Sequence, residues 1–293
     1  MVQRNQTAED ASPLIKWVPA DQWIDGSPAD SELPKYSAGS FRLTTTNGAY
    51  ASFSFNGTGV WIYGAKRFNH GPYRCNVDGN DRPIQDGYSD PANNQISVPL
   101  CSAPNLKMGS HTIKITNLWT DANLPYLDVD YIIWETKISE QATLASNVFD
   151  DADTSNIKYT PPGEWSPNAC QNMASYSSGS CHVTGSNTAK ASLTFEGDAI
   201  AVYGGVGPQY GPYSVKLDDQ DPALFTANST NSHSQQILYF ASGLGAGNHT
   251  VVINNNPASI GNQLDIDYIQ VLGVGIPTDG AQPGNNNSSG GGS

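Results

Sequence analysis

The sequence predicts an all-β protein of two tandem antiparallel β-sandwiches, each a jelly roll, arising from an internal duplication. Three observations lead there. First, apolar residues alternate. Phe53 and Phe55 fall on one side and Ser52 and Ser54 on the other, as Leu193 and Phe195 do against Ser192 and Thr194, which is the period of a half-buried strand. Val60 and Ile62, like Ile200 and Val202, are placed inward, with Trp61 and Tyr63 on the opposite face. Second, Asn-Gly at 47 and 56 and Asp-Gly at 25, 78 and 86 punctuate these runs as hairpin turns do. Third, "YGAKRFNHGPYRCNVDG" (63–79) returns as "YGGVGPQYGPYSVKLDD" (203–219), with the frame kept and the loop changed.

The match extends outward element by element. "IKWVPADQW" (15–23) pairs with "IKYTPPGEW" (157–165), preceded by acidic residues, Glu9 and Asp10 in one copy and Asp150, Asp151 and Asp153 in the other. The run 36–64 aligns without a gap on 176–204, "GSHTIKITN" (109–117) on "GNHTVVINN" (247–255), and "LDVDYIIWE" (127–135) on "LDIDYIQVL" (264–272). A repeat of this length marks two copies of one folding unit. We expect domains at 8–137 and 148–274, a connector at 138–147 and a flexible Gly/Asn/Ser linker at 275–293.

Composition narrows the function. A formal charge of −13 repels nucleic-acid phosphates and anionic membranes. The charged fraction is 14% in a chain rich in Gly, Ser, Thr, Asn and Tyr, as in secreted β-proteins. Of the pairings open to four cysteines, those respecting the repeat are Cys75 with Cys101 and Cys170 with Cys181. Sequons at Asn5, Asn56, Asn228 and Asn248, and two more at Asn286 and Asn287, fit a secreted or cell-surface glycoprotein. No hydrophobic leader opens the chain, as expected of a mature form, and the linker at the end suggests either an anchor beyond Ser293 or a free secreted tail.

The order of these motifs, an acidic opening, "IKY…W", "F-x-G-x-x-V-x-V/I-Y-G", "G-P-Y-x-V-x-x-D", "G-x-H-T-V" and a closing "LD(V/I)DYI", resembles the galactose-binding-like β-sandwiches of carbohydrate-binding modules. More closely, it resembles the tandem ectodomains of basidiomycete cell-surface proteins, over residues 8–274. The resemblance implies a polysaccharide partner and contact with sugar just before the closing "LD", at Tyr126 and Gln263. It also implies a structural Ca²⁺ held by Asp151, Asp153 and Asp267, with Glu9, Asp10 and Asp130 as the counterpart set. Hard oxygen donors suit that ion.

Within the frame, Gly and Pro answer to turns. The loop between carries the chemistry. Sugars require flat aromatic faces and planar hydrogen-bonding groups, which Arg67, Phe68, Asn69, His70 and Tyr73 supply in the first copy. Gln209, Tyr210 and Tyr213 are a thinner set in the second. Trp119, Asp121 and Tyr126 form a further candidate surface. His111 and His249 occupy equivalent strand positions and read as structural; His70 and His182 have no partner visible in the sequence.

The expected function is non-catalytic recognition of a cell-wall or plant polysaccharide. The competing readings are a protein-binding adhesion ectodomain and a glycoside hydrolase. Asp128 and Asp130, two apart on one strand, would supply the hydrolase's paired carboxylates. Their repetition as Asp265 and Asp267, and the absence of GxSxG or HExxH, weigh against an enzyme.

Overall fold

The structure, a computed structural model, describes residues 2–138, 146–245, 247–256 and 262–273. Most of the expected connector and the whole linker, with Asn286 and Asn287, lie outside the described residues. The first set of strands is β1 (Val2–Glu9), β2 (Ile15–Val18), β3 (Ile24–Asp25), β4 (Arg42–Thr44), β5 (Tyr50–Gly57), β6 (Gly59–Lys66), β7 (Pro72–Val77), β8 (Asn80–Asp81), β9 (Gln85–Asp86), β10 (Gln95–Ala103), β11 (Gly109–Asn117), β12 (Leu127–Val129) and β13 (Tyr131–Ile138). The second is β14 (Ser146–Asp150), β15 (Lys158–Thr160), β16 (Ser166–Pro167), β17 (His182–Thr184), β18 (Lys190–Glu196), β19 (Ala199–Val206), β20 (Pro212–Leu217), β21 (Ala223–Thr226), β22 (His233–Ser242), β23 (Asn248–Asn255), β24 (Leu264–Ile266) and β25 (Tyr268–Leu272).

Every pairing between these strands is antiparallel. In the first set one sheet runs β1-β13-β6-β10, a second β2-β5-β11-β7-β8 with β9 also on β7, and a short third β12-β4-β3. The second set runs β14-β25-β19-β22, β15-β18-β23-β20-β21 and β16-β17-β24, the same orders except that β21 stands where β9 does and β8 has no counterpart among the described residues. The chain is thus all-β with sandwich architecture. Alternation decides what is inside: Ala51, Phe53 and Phe55 of β5 and Val60 and Ile62 of β6 are buried, so the two large sheets share one core, in which Phe53 meets Trp134 at 5.0 Å between ring centroids. Both expected disulfides are present. Cys75–Cys101 links β7 to β10 and so staples the two sheets across that core; Cys170–Cys181 ties the segment before β17 to it.

Turn chemistry is equally local. Asp78 and Gly79 lie at φ +51° and +80°, the left-handed pair that a two-residue β7–β8 hairpin demands. The Asp78 carboxylate also accepts from the Thr112 backbone N–H at 2.8 Å and pairs with His111 at 2.7 Å. Asp218, Thr250 and His249 repeat the arrangement. Both histidines serve the frame.

The two sets of sheets pack against each other. Ile237 is buried in the first core and Phe240 meets Trp134 edge-on at 5.1 Å. Ser12 donates to the Ile237 carbonyl at 2.8 Å, Asn56 to that of Ser242 at 3.0 Å, and Thr136 and Ser242 share a hydroxyl bond of 2.8 Å.

Candidate functional site at the loop tips

The varied loop leaves β6 at Lys66 and returns as β7 at Pro72. It is braced on both sides by backbone. Arg67 N–H donates to the Gly87 carbonyl at 3.1 Å, Gly71 N–H to that of Tyr126 at 3.2 Å, and Tyr126 N–H to that of Asn69 at 3.3 Å. Gly71 is required, because an added Cβ would collide with the Leu124 carbonyl oxygen. In the second set Gly207, Gly211, Gln209 and Gln263 make the matching bonds.

On this brace a cavity of about 300 Å³ opens, lined by Asp30, Arg67, Asn69, His70, Tyr126 and Asp128 with the apolar side chains of Ile24, Phe41 and Leu43. Its floor is Asp128, which accepts from Ala65 N–H at 2.6 Å, from Tyr36 O–H at 2.7 Å, and pairs with His70 Nε2 at 2.9 Å. His70 Nδ1 is held by Asn69 Oδ1 at 2.9 Å. Arg67 forks onto both Asp30 oxygens at 2.7 and 3.0 Å. Burial pushes the Asp128 carboxyl up, but the facing His70 charge and the three donors outweigh it and hold it below the usual carboxylate range. Asp30 is likewise held low: some burial opposes, and the Arg67 fork overrides it.

The same position in the second set is built differently. Asp265 accepts from Tyr176 and Tyr210 hydroxyls at 2.7 and 2.5 Å and from Gly205 N–H at 2.5 Å. Burial dominates over these neutral donors, and its carboxyl rises. Gln209 and Tyr210 line a separate cavity of about 290 Å³ with Gln171, Ser175 and Gln236, while Gln263 pairs with Tyr210 as Tyr126 does with His70.

The remaining expected site residues fall in several places. Tyr73 and Tyr213 are corrections: both are core residues, 2% and 0% exposed, whose hydroxyls donate to the Leu100 and Leu238 carbonyls. The same alternation that buries Cys75 and Val77 buries Tyr73. Phe68 is 47% exposed at the loop tip and does not line the cavity. Trp119 is half-buried and donates to the Thr45 carbonyl at 2.8 Å; Asp121 is exposed and caps its own turn through Asn123 N–H. His182, for which the sequence shows no partner, pairs with Asp151 at 2.6 Å and stacks on Tyr159 at 4.3 Å.

Asp128 lies on β12, whereas Asp130 falls in the break between β12 and β13. Asp130 takes separate donors, Ser37 N–H at 3.0 Å and Ser97 O–H at 2.5 Å, and burial pushes it up to about 7. Of the expected calcium ligands, Asp151 is engaged by Ser180 and His182, Asp153 by Ser155 and Asn156, and Asp267 by Ser177 N–H. Among the described residues no three of His, Cys, Asp or Glu are grouped to hold a metal. Asn5, Asn228 and Asn248 are exposed, whereas Asn56 is half-buried with its amide donating to Ser242.

Sequence reasoning missed Tyr36, Asp30 and the apolar wall. Tyr36 had a signal, since it and Tyr176 stand at one position of the repeated "YS(A/S)GS". Asp30 had none: it lies in an aperiodic segment and meets Arg67 only through the fold.

The fold and the tip cavities define an all-β sandwich protein with polar clefts between loops. No family model matches the chain. It is similar to "A type blood alpha-D-galactosamine galactosaminidase" of Flavonifractor plautii, 25% identical over 237 residues, which is 80% of this chain and 20% of that protein. Among solved structures, a Paenibacillus xanthan lyase is 15% identical with a TM-score of 0.33, over 86% of this chain and 25% of the lyase. The CBM36-1 domain of a multidomain xylanase from the hindgut metagenome of Trinervitermes trinervoides is 11% identical with a TM-score of 0.27, over 46% of this chain and 99% of that domain. The chain therefore spans a small part of the galactosaminidase and of the lyase.

Proposed function

We propose that the protein is a non-catalytic glycan-binding module that holds a cell-wall or plant polysaccharide in the tip cavity of its first half. One observation carries this reading: three stretches distant in sequence, bringing Asp30, then Arg67, Asn69 and His70, then Tyr126 and Asp128, converge on one cavity of about 300 Å³. That volume sits at the small end of ligand pockets. Its lining pairs an aromatic face with planar amide, imidazole and guanidinium groups, the complement of sugar C–H faces and hydroxyls. The galactosaminidase relative, itself named for a sugar substrate, supports the same class. The surroundings of Asp128 and Asp130 support binding rather than turnover. Both are buried and each is saturated by donors of its own, so neither stands free beside a bond to be cleaved.

The surrounding biology belongs to the same proposal. The repeated strand order is the product of duplication. The two disulfides suit an oxidising, extracellular setting, with the exposed sequons at Asn5 and Asn248 glycosylated. Among the described residues no helix is long and apolar enough to cross a membrane; that is consistent with an ectodomain of a fungal surface protein.

The test is retention on insoluble β-glucans, chitin, mannan, xylan and cellulose, with supernatants assayed for released sugar. Retention without release, lost in Asn69→Ala and Tyr126→Ala proteins of normal melting temperature, is the expected result. Released sugar would overturn the non-catalytic reading, and full retention by both variants would remove the site.

A further inference from the structure

A larger opening lies away from the tips. Between the two sets of sheets runs a cleft of about 660 Å³. One wall is β2 and its neighbours, presenting Lys16, Trp17 and Arg42; the other is β21 and the turn after it, presenting Leu224, Phe225 and Asn228. The walls are fixed to each other. Arg42 donates to Asp25 at 3.1 Å and across the cleft to Ser229 at 2.9 Å, and Asn231 N–H reaches back to Asp25 at 3.1 Å. The aromatic wall is rigid too: Trp17 packs on Trp23 at 4.8 Å and carries the Arg42 guanidinium at 5.3 Å from its ring centre.

The charge of this cleft runs against the rest of the molecule. The chain has 27 Asp and Glu against 14 Lys and Arg, yet among the described residues no Asp or Glu lines the cleft, while Lys16 and Arg42 do. Asp25 answers the Arg42 charge. Lys16 is exposed and supplies a cation to whatever enters. Half-exposed Trp17 and Phe225 on opposing walls, with the Asn228 amide and the Thr226 and Thr230 hydroxyls beside them, are the same sugar-complementary set as at the tips. Here they are combined with positive charge instead of Asp30 and Asp128. Clefts between packed units are favoured ligand sites, and a cation in a low-dielectric groove attracts anions strongly.

We propose that this cleft binds an acidic oligosaccharide, a glycan whose rings lie against Trp17 and Phe225 and whose carboxylate meets Lys16. The proposal shares only its ligand class with the tip reading. It needs the two halves together, whereas the tip cavity is complete within the first.

Titration calorimetry of the whole chain tests it, with an oligogalacturonate and its methyl ester as probes. Lys16→Glu and Leu224→Asp change exposed side chains and put negative charge in the cleft, and unchanged melting temperatures will show that both fold. The expected result is binding of the acid weakened about tenfold or more in each variant, weaker binding of the ester, and affinity that falls as salt rises. Equal affinity for acid and ester, undiminished binding in both variants, or no binding of the acid would overturn the proposal. The tip variants separate the two sites. Loss of acid binding in Asn69→Ala with full binding in Lys16→Glu would place the acid at the tip and end the cleft proposal. Retention of a neutral polysaccharide without any acid binding would likewise end it, and would leave the tip reading standing.

Discussion

Asp128 and Asp265 occupy one position in two copies of the same strand order, and their neighbours push their carboxyls in opposite directions. His70 faces the first and Tyr210 the second. An ion pair needs its carboxylate charged, whereas a tyrosine hydroxyl donates to a carboxylate without adding charge. Asp128→Asn therefore strips a buried partner from His70 and should cost about 3 kcal/mol. Asp265→Asn removes neutral bonds and should cost about 1 kcal/mol. Chemical denaturation of both variants checks the order; equal losses would mean that the His70 contact is worth no more to the fold than the tyrosine hydroxyls on Asp265. A second set of carboxyls governs pH dependence. Burial pushes Asp10, Asp130 and Asp267 up to about 7, above their unfolded value. Such groups favour the fold while protonated. Their contribution is complete below the unfolded pKa and is lost as pH rises through about 7, because the unfolded chain gives up its protons first. Melting temperature should thus fall between pH 5 and pH 7.5, and Asp130→Asn should flatten that slope; a melting temperature that rises over this interval would contradict the assignment.

Strands and turns were legible in the sequence because each is specified by neighbours a few residues away. Phe53 and Phe55 announced β5 by alternation, and Asp78-Gly79 announced its hairpin by composition. The repeat did the same for both disulfides. Gly79, at φ +80° with nothing near its missing Cβ, isolates the backbone term: Gly79→Ala should cost about 1–2 kcal/mol without moving the core. A denaturation midpoint equal to the parent's would show that this turn relaxes to another type. The candidate site was only half legible, and the reason is physical. Asn69, His70 and Tyr126 could be named from one loop and one motif. Asp30 and Phe41 come from the 26–41 stretch, where no period orders the chain and only the finished fold brings them to Arg67. Tyr73 is the opposite case: it stands next to the loop in sequence, but its alternation with Cys75 and Val77 sends the ring into the core.

At the scale of the whole molecule, the two halves behave as one cooperative body if the contact between them is as dense as its bonds indicate. Ile237 lies in the first core and Phe240 packs on Trp134, so side chains of the second half complete the first. Thr136 and Ser242 add a buried hydrogen bond, and Asn56 a partly buried one to the Ser242 carbonyl. Removing the Phe240 ring should cost about 3 kcal/mol, the low end for a Phe truncation, since that side chain is only partly buried. The signal is easy to assign. Of the six tryptophans, Trp165 alone belongs to the second half and Trp17, Trp23, Trp61, Trp119 and Trp134 to the first. Intrinsic fluorescence therefore reports mainly on the half that Phe240→Ala leaves untouched in sequence. If the halves are coupled, the fluorescence midpoint drops together with the far-ultraviolet circular dichroism midpoint, in a single transition. If the fluorescence midpoint stays where it was while circular dichroism splits into two steps, the halves unfold independently. The cleft between them would then have no fixed width, and Lys16 and Phe225 could not act on one ligand.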